Sequence, residues 1–224
     1  MNVFLRDLMI QKKVNIPLPE TGTIYDYEFK DKQKEWVEWT KSFENFEIDQ
    51  KLSYHEIAIP TSDSTRNLFL TKLLLLKNYH VLTLGPTGTG KSLNAYKLLI
   101  NGLPESFQYI SITFSAQTSA NQTQDTIDGK MDKRRKGIYG PPLLKKCVIF
   151  VDDLNMPKKE TYGAQPPIEL IRQYLDHKGW YNRKDLQFMN LEDLQILGAM
   201  GPPGGGRTFI TNRLIRHFNI LAYT

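Results

Sequence analysis

The run GPTGTGKS at Gly85–Ser92 constrains the fold of this chain more than any other eight residues. It has the spacing G-x-x-x-x-G-K-[ST]. A short apolar run, HVLTL at 80–84, leads into it, and KSLNAYKLLING at 91–102 reads as a helix closed by Gly102. Strand, glycine turn and helix in that order point successive backbone N–H groups at one spot, because glycines at 85, 88 and 90 accept conformations closed to other residues. The start of the helix adds its dipole there. An anion is the natural guest. Lys91 brings a charge to the β/γ phosphates of a nucleotide, and the Ser92 hydroxyl is placed for Mg²⁺.

A phosphate loop of this kind needs a second carboxylate to hold the metal. A buried strand that ends in an acid delivers one to the same sheet edge. VIFVDDLNMP supplies it: Asp152 as the acid on the Mg²⁺ side, through water or through Ser92, and Asp153 where a glutamate usually polarises the attacking water.

The remaining pattern agrees with an α/β fold. TSDSTRNLFLTKLLLL opens with capping residues and becomes an amphipathic helix. FQYISITF (107–114), CVIFV (147–151), LQILGAM (194–200) and FNILAY (218–223) read as strands, and PPIELIRQYLDHKG (166–179) as a helix. Strands alternating with helices predict a parallel sheet. Residues 1–60 differ in texture. IPLPETGTIYDYEF reads as an irregular arm. Trp36, Trp39, Phe43 and Phe46, spaced 3, 4 and 3, form one apolar stripe on a short helix or compact turn, suited to docking the arm on a neighbouring surface.

Composition sets limits. The formal net charge of +5 fits a nucleotide binder or an acidic partner surface and does not by itself argue for nucleic acid. Cys147 is the single cysteine, so no internal disulfide can form, and a reducing compartment is expected. The most apolar stretch is broken by Lys72, Lys77 and His80, so no membrane span is expected. His55, His80, His177 and His217 have no ligand spacing, which argues against a zinc site. GKMDKRRKG (129–137) has five basic residues in seven. It reads as a solvated loop, or as an inserted loop that meets an acidic partner; no aromatic platform for nucleic acid is interleaved with it. GPPGGGR reads as a mobile loop whose Arg207 either reaches a nucleotide or caps the next helix.

Several long motifs resemble the third AAA+ module of a dynein heavy chain, the axonemal more than the cytoplasmic type. They are TIYDYEF…WVEWTKSF, IPTSDSTRNLFL, GPTGTGKS, FSAQTSANQTQDTIDGKMDKRRKGIYGPP, FVDDLNMPKKETYGAQPPIELIRQYLDHKGWY, GAMGPPGGGR and TNRLIRHFN, which together cover essentially the whole chain. The resemblance implies a three-layer P-loop AAA+ large subdomain with a parallel five-stranded sheet over 61–224. Residues 1–60 would be an N-terminal arm or linker from the preceding module, and Thr224 would fall before the small helical subdomain. It implies ATP or ADP with Mg²⁺ as ligands. Gly85, Pro86, Thr87, Gly88, Thr89 and Gly90 would form the cradle, Lys91 and Ser92 the Walker A pair, and Asp152 the Walker B acid. Ile59 and Thr61 would lie near the adenine. Arg216, with Arg213 as second choice, resembles an arginine finger aimed at the preceding module's nucleotide. Partners would be neighbouring AAA+ modules of the same heavy chain, microtubules through parts outside this chain, and other dynein chains, with no nucleic acid and no membrane. The place would be the cytoplasm and cytoskeleton, in the axoneme of a cilium or flagellum.

Two positions depart from an active ATPase of this kind. Asp153 is one methylene shorter than glutamate, which withdraws the base from the water it would orient, and reach precedes pKa in general-base catalysis. Gly201 stands where an asparagine sensor is usual. Both spare the phosphate cradle, so the expectation is a regulatory module that binds nucleotide and hydrolyses it slowly, with little turnover in isolation. The alternatives are a nucleotide-binding structural module without turnover, or a different AAA+ remodelling ATPase.

Overall fold

The computed structural model describes residues 2–16, 18–43 and 59–223. It divides into two compact units, Met1–Arg66 and Asn67–Thr224.

In the first unit, helix α1 (Asn2–Gln11) is followed by a hairpin of β1 (Tyr27–Lys30) and β2 (Glu35–Glu38), paired antiparallel, and by a 3-10 turn at Trp39–Phe43. The arm is therefore more regular than expected, and the aromatic residues do not share one helical stripe. Trp36 lies on β2 and packs its ring against Phe29 across the hairpin, with centroids 5.0 Å apart. Trp39 is buried in the turn and donates its indole N–H to the Tyr25 carbonyl at 3.0 Å. β2 ends between the two, so a spacing that imitates helical period is carried across a change from strand to turn. Phe46 and His55 lie outside the described residues.

Helix α2 (Ser62–Leu76) opens on reciprocal bonds: the Ser64 N–H donates to Thr61 Oγ1 at 3.1 Å, and the Thr61 N–H donates to Ser64 Oγ at 2.8 Å. It ends where Asn78 adopts a left-handed conformation (φ 63°). The Tyr79 N–H reaches back to the Leu74 carbonyl and the Asn78 N–H to that of Leu75. This stop turns the chain directly into β3 (Val81–Leu84).

The second unit is built on five parallel strands in the order β11 (Asn219–Ala222), β3, β10 (Leu194–Met200), β7 (Lys146–Asp152) and β4 (Phe107–Thr113). All seven residues of β10 are buried, as befits a strand covered on both faces. Alternate residues feed two cores. Val81, Val148, Phe150, Leu197 and Ala199 pack with Leu75 of α2 and with Ala95, Leu98 and Leu99. Leu82, Ile149, Val151 and Ile196 pack on the other face with Ile127 of α4 (Ala120–Asp128) and with Ile168, Ile171 and Tyr174 of α5 (Pro166–His177). This is the three-layer α/β architecture expected of a P-loop AAA+ large subdomain. Helix α3 covers Lys91–Lys97 and continues as a π-helical turn over Leu98–Gly102.

A second sheet was not foreseen. Strands β5 (Asp132–Arg135), β6 (Ile138–Gly140), β9 (Phe188–Leu191) and β8 (Gly179–Tyr181) pair in that order. The basic run is thus a β-hairpin rather than a plain loop. Arg134, pinned by an ion pair to Asp193 and by donation to the Pro141 carbonyl, fixes the hairpin while its basic neighbours Lys133 and Arg135 stay exposed. Among the described residues, no helix is long and apolar enough to cross a membrane.

Candidate phosphate-binding site

Three parallel strands deliver the site. In the ladders Leu84 stands beside Met200, and Gly198 beside Val151, so the chain leaves β3, β7 and β10 at the same sheet edge. Gly85 continues β3 and is squeezed against β11: a Cβ there would lie 2.3 Å from the Tyr223 carbonyl oxygen. Gly88 and Gly90 take φ values of 88° and 79°, left-handed conformations that favour glycine, with open space where a side chain would project. Gly90 is also the N-cap of α3 and supplies no side chain to the first-turn N–H groups.

A cleft of about 270 Å³ opens above this loop. Its walls include Gly88, Lys91 and Ser92 from the loop and α3, Asp152 and Asp153 from the end of β7, and Gly201 and Arg207 from beyond β10. The predicted loop lysine, hydroxyl and acid therefore converge. Thr87 and Gly90 also line the cleft, while Pro86 and Thr89 serve the lysine. Lys91 folds over the loop and donates to the Pro86 carbonyl at 2.5 Å and to Thr89 Oγ1 at 3.3 Å. Burial, and then the Arg207 guanidinium, hold its ammonium pKa below the usual lysine range against the pull of Asp152 and Asp153.

Asp152 accepts the Asp153 N–H at 3.0 Å. Asp153 itself sits at φ 51° and accepts from Arg207 Nη2 at 3.2 Å. Arg207 is placed by the glycine loop. Gly204, Gly205 and Gly206 all have positive φ, and Gly204 and Arg207 exchange two backbone hydrogen bonds of 3.0 Å, which reverses the chain. The reversal lays Arg207 on Gly201, where a Cβ would stand 2.8 Å from Arg207 Nε. Of the two roles read for Arg207, contact with the cleft is the one its position allows.

Asn155 escaped the sequence reading. It is buried and donates its amide to the Gly201 carbonyl at 2.8 Å, while the Thr208 N–H donates to its backbone carbonyl at 2.8 Å. Gln165 extends this net by donating to Thr208 Oγ1 and to the Pro157 carbonyl. The net ties the segment after β7 to the segment after β10, and so fixes the wall that carries Asp153 and Arg207. The one hint in the sequence was a neutral polar residue two positions past the acids that close a buried strand.

Arg216 is not a cleft residue. It closes α6 (Asn212–Ile215), is largely exposed, and donates to Asp176 of α5 at 2.7 Å. Asp176 also receives His217 at 2.9 Å and Arg172 at 2.5 Å, and Arg216 foremost holds its carboxyl below the usual range. Arg213 is exposed on α6. Ile59 is exposed and Thr61 caps α2, both in the first unit. Cys147 is buried in the core, and burial pushes its thiol up to about 12. Among the described residues no group of three or more His, Cys, Asp or Glu side chains is placed to hold a metal.

The donor set fits a nucleotide with Mg²⁺. A glycine cradle leaves room where side chains would intrude, Lys91 faces it, and Ser92 and Asp152 offer one hydroxyl and one carboxylate in the same cleft. Mg²⁺ bound with phosphate oxygens and water needs few protein oxygens.

A five-stranded parallel sheet with this loop between β3 and α3 and acids at the end of β7 defines a P-loop α/β domain. The chain belongs to the family described as the P-loop containing dynein motor region, whose model matches residues 46–224. Residues 1–41 match a second model, the dynein heavy chain AAA lid domain. The chain is similar to dynein axonemal heavy chain 1 of Mus musculus, at 48% identity over 98% of this chain. It is also similar to the human dynein axonemal heavy chains 12 and 3, at 48% and 44% identity over 93% and 99% of this chain. It spans 6–7% of the length of these curated relatives.

Proposed function

We propose that this chain is the third AAA+ module of an axonemal dynein heavy chain, binding ATP or ADP with Mg²⁺ in the cleft above the Gly85–Ser92 loop. The observation that carries this reading is the convergence of Lys91, Ser92 and Asp152 on one cleft at the end of three parallel strands. The particular module rests on the resemblance of the long middle motifs, FSAQTSANQTQDTIDGKMDKRRKGIYGPP and FVDDLNMPKKETYGAQPPIELIRQYLDHKGWY, which are far more specific than GPTGTGKS. In the parent motor the module works beside the other AAA+ modules of the same heavy chain. Microtubules are reached through regions outside this chain, other dynein chains join the assembly, and the place is the axoneme of a cilium or flagellum. Ile59 and Thr61 contribute near the adenine, and Arg216 serves the preceding module's nucleotide.

The module is a regulatory ATPase site with slow turnover. Orienting water requires a carboxylate of sufficient reach. Asp153 is short, and Gly201 offers no amide to hold the water. Asp153 also accepts from Arg207, an arrangement suited to the second reading, a module that keeps a bound diphosphate as a structural ligand. Acid extraction of nucleotide from the purified chain, followed by chromatography, tests both. Retained ADP or ATP in near-stoichiometric amount is expected, and nucleotide-free protein that takes up none on addition of MgATP would refute the assignment.

A further inference from the structure

Gly201 and Arg207 are best understood together. β10 ends at Met200, and the next residue has no side chain. Six residues later the tight reversal through Gly204–Gly206 brings an arginine back over that same point, close enough that even a methyl group at 201 would meet its Nε and Cδ at 2.8 and 2.9 Å. The guanidinium then lines the cleft with Lys91, Ser92, Asp152 and Asp153. One Nη2 bond goes to Asp153, and Nε is buried with no hydrogen-bond partner among the described residues. A buried N–H without an acceptor is costly, and a guanidinium is a planar fork suited to two oxygens of one phosphoryl group. Its positive charge is near enough to Lys91 to lower that ammonium's pKa, so both cations face one space. Such a pair suits a guest more negative than the Asp152 and Asp153 carboxylates alone.

We propose that Arg207 is the terminal-phosphate reader of this cleft: it binds the γ-phosphoryl group in cis, and its ion pair with Asp153 is the arrangement that the γ-phosphoryl group displaces. Gly201 is the accompanying feature, because any side chain there pushes the guanidinium away. Triphosphate binding then frees Asp153, whereas diphosphate leaves the pair intact. The site distinguishes ATP from ADP through its own chain, independently of any arginine from a neighbouring module. This rests on the nucleotide reading above.

The test is a fluorescence titration of the purified 224-residue chain with mant-ATPγS and mant-ADP, both with Mg²⁺. Arg207→Gln is expected to weaken the triphosphate analogue by about tenfold or more and the diphosphate by less than about threefold. Gly201→Ala, which keeps Arg207 and displaces it, is expected to lose the same selectivity. Asp153→Asn is expected to tighten the triphosphate analogue, and the gain is expected to vanish in Asp153→Asn with Arg207→Gln, a coupling that a merely structural arginine would not produce. Diphosphate binding in each variant reports that the cleft is folded. If Arg207→Gln and Gly201→Ala both weaken the two nucleotides equally, or neither, Arg207 is not a terminal-phosphate reader. Lys91→Ala separates the two levels: loss of both nucleotides there with unchanged selectivity in the Arg207 and Gly201 variants overturns only this proposal. Unchanged binding of both nucleotides in Lys91→Ala overturns the nucleotide site beneath it.

Discussion

The imidazole of His80 accepts the backbone N–H of Ile196 through Nδ1 at 3.0 Å, joining the entry of β3 to the middle of β10 at the sheet end opposite the phosphate loop. An accepting Nδ1 leaves the neutral ring with its proton on Nε2. The ring also meets Tyr174 and Phe218 edge-on. Burial, with the charges of Lys178 and His217 adding to it, pushes its pKa down to about 4.

The first prediction concerns pH. Between the unfolded value near 6.5 and about 4, the unfolded chain holds more protons at His80 than the folded chain does. The stability from the neutral ring is fully present above about pH 6.5 and is lost as pH falls toward 4. On going from about pH 7 to about pH 5 this group alone removes roughly 2 kcal/mol. Urea unfolding of wild type and His80→Asn, which retains an acceptor and cannot ionise, checks it. The variant is expected to lose less stability on acidification by about that amount, and parallel losses would contradict it.

The second prediction contrasts two glycines of one loop. Gly85→Ala drives a methyl into the Tyr223 carbonyl and is expected to destabilise the chain by about 3 kcal/mol or more. Gly88→Ala meets open space and carries only the left-handed strain, about 1–2 kcal/mol. Differential scanning calorimetry of the two variants would show the larger fall for Gly85→Ala.

The third concerns Asn155. Asn155→Ala removes the amide that holds the Gly201 carbonyl and is expected to cost about 1–3 kcal/mol. Hydrogen exchange of residues 201–208 is expected to quicken in this variant while β7 and β10 stay protected. Unchanged exchange there would mean that Asn155 does not fix the cleft wall.

Much of this was legible in the sequence because it is local. The strand–loop–helix unit at 81–97 and the buried strands at 146–152 and 194–200 follow from glycine placement and apolar runs. What escaped was non-local pairing. The parallel ladder between β6 and β9 joins Ile138 to Asn190, more than fifty residues apart, and without it 132–140 reads as a charged loop. The Gly201 position was legible only as a missing amide. That it is the space occupied by Arg207 depends on the fold of the Gly204–Arg207 reversal, which residue types alone do not specify.

That occupancy bears on the fourth prediction, which concerns turnover. Restoring reach with Asp153→Glu is expected to raise hydrolysis at this site, measured in a whole motor domain whose first module is disabled. Adding Gly201→Asn to supply a sensor amide is expected to cancel the gain, because the new side chain collides with Arg207. A further rise in the double variant would show that Arg207 yields without consequence.

The cleft above Gly85–Ser92 is tested as a nucleotide site most directly by calorimetric titration of MgATP into wild type and Lys91→Ala. One lost charge-assisted phosphate contact is worth about 1.5–3 kcal/mol, so the variant is expected to bind about tenfold to a hundredfold more weakly. Equal affinity in the two proteins would contradict it.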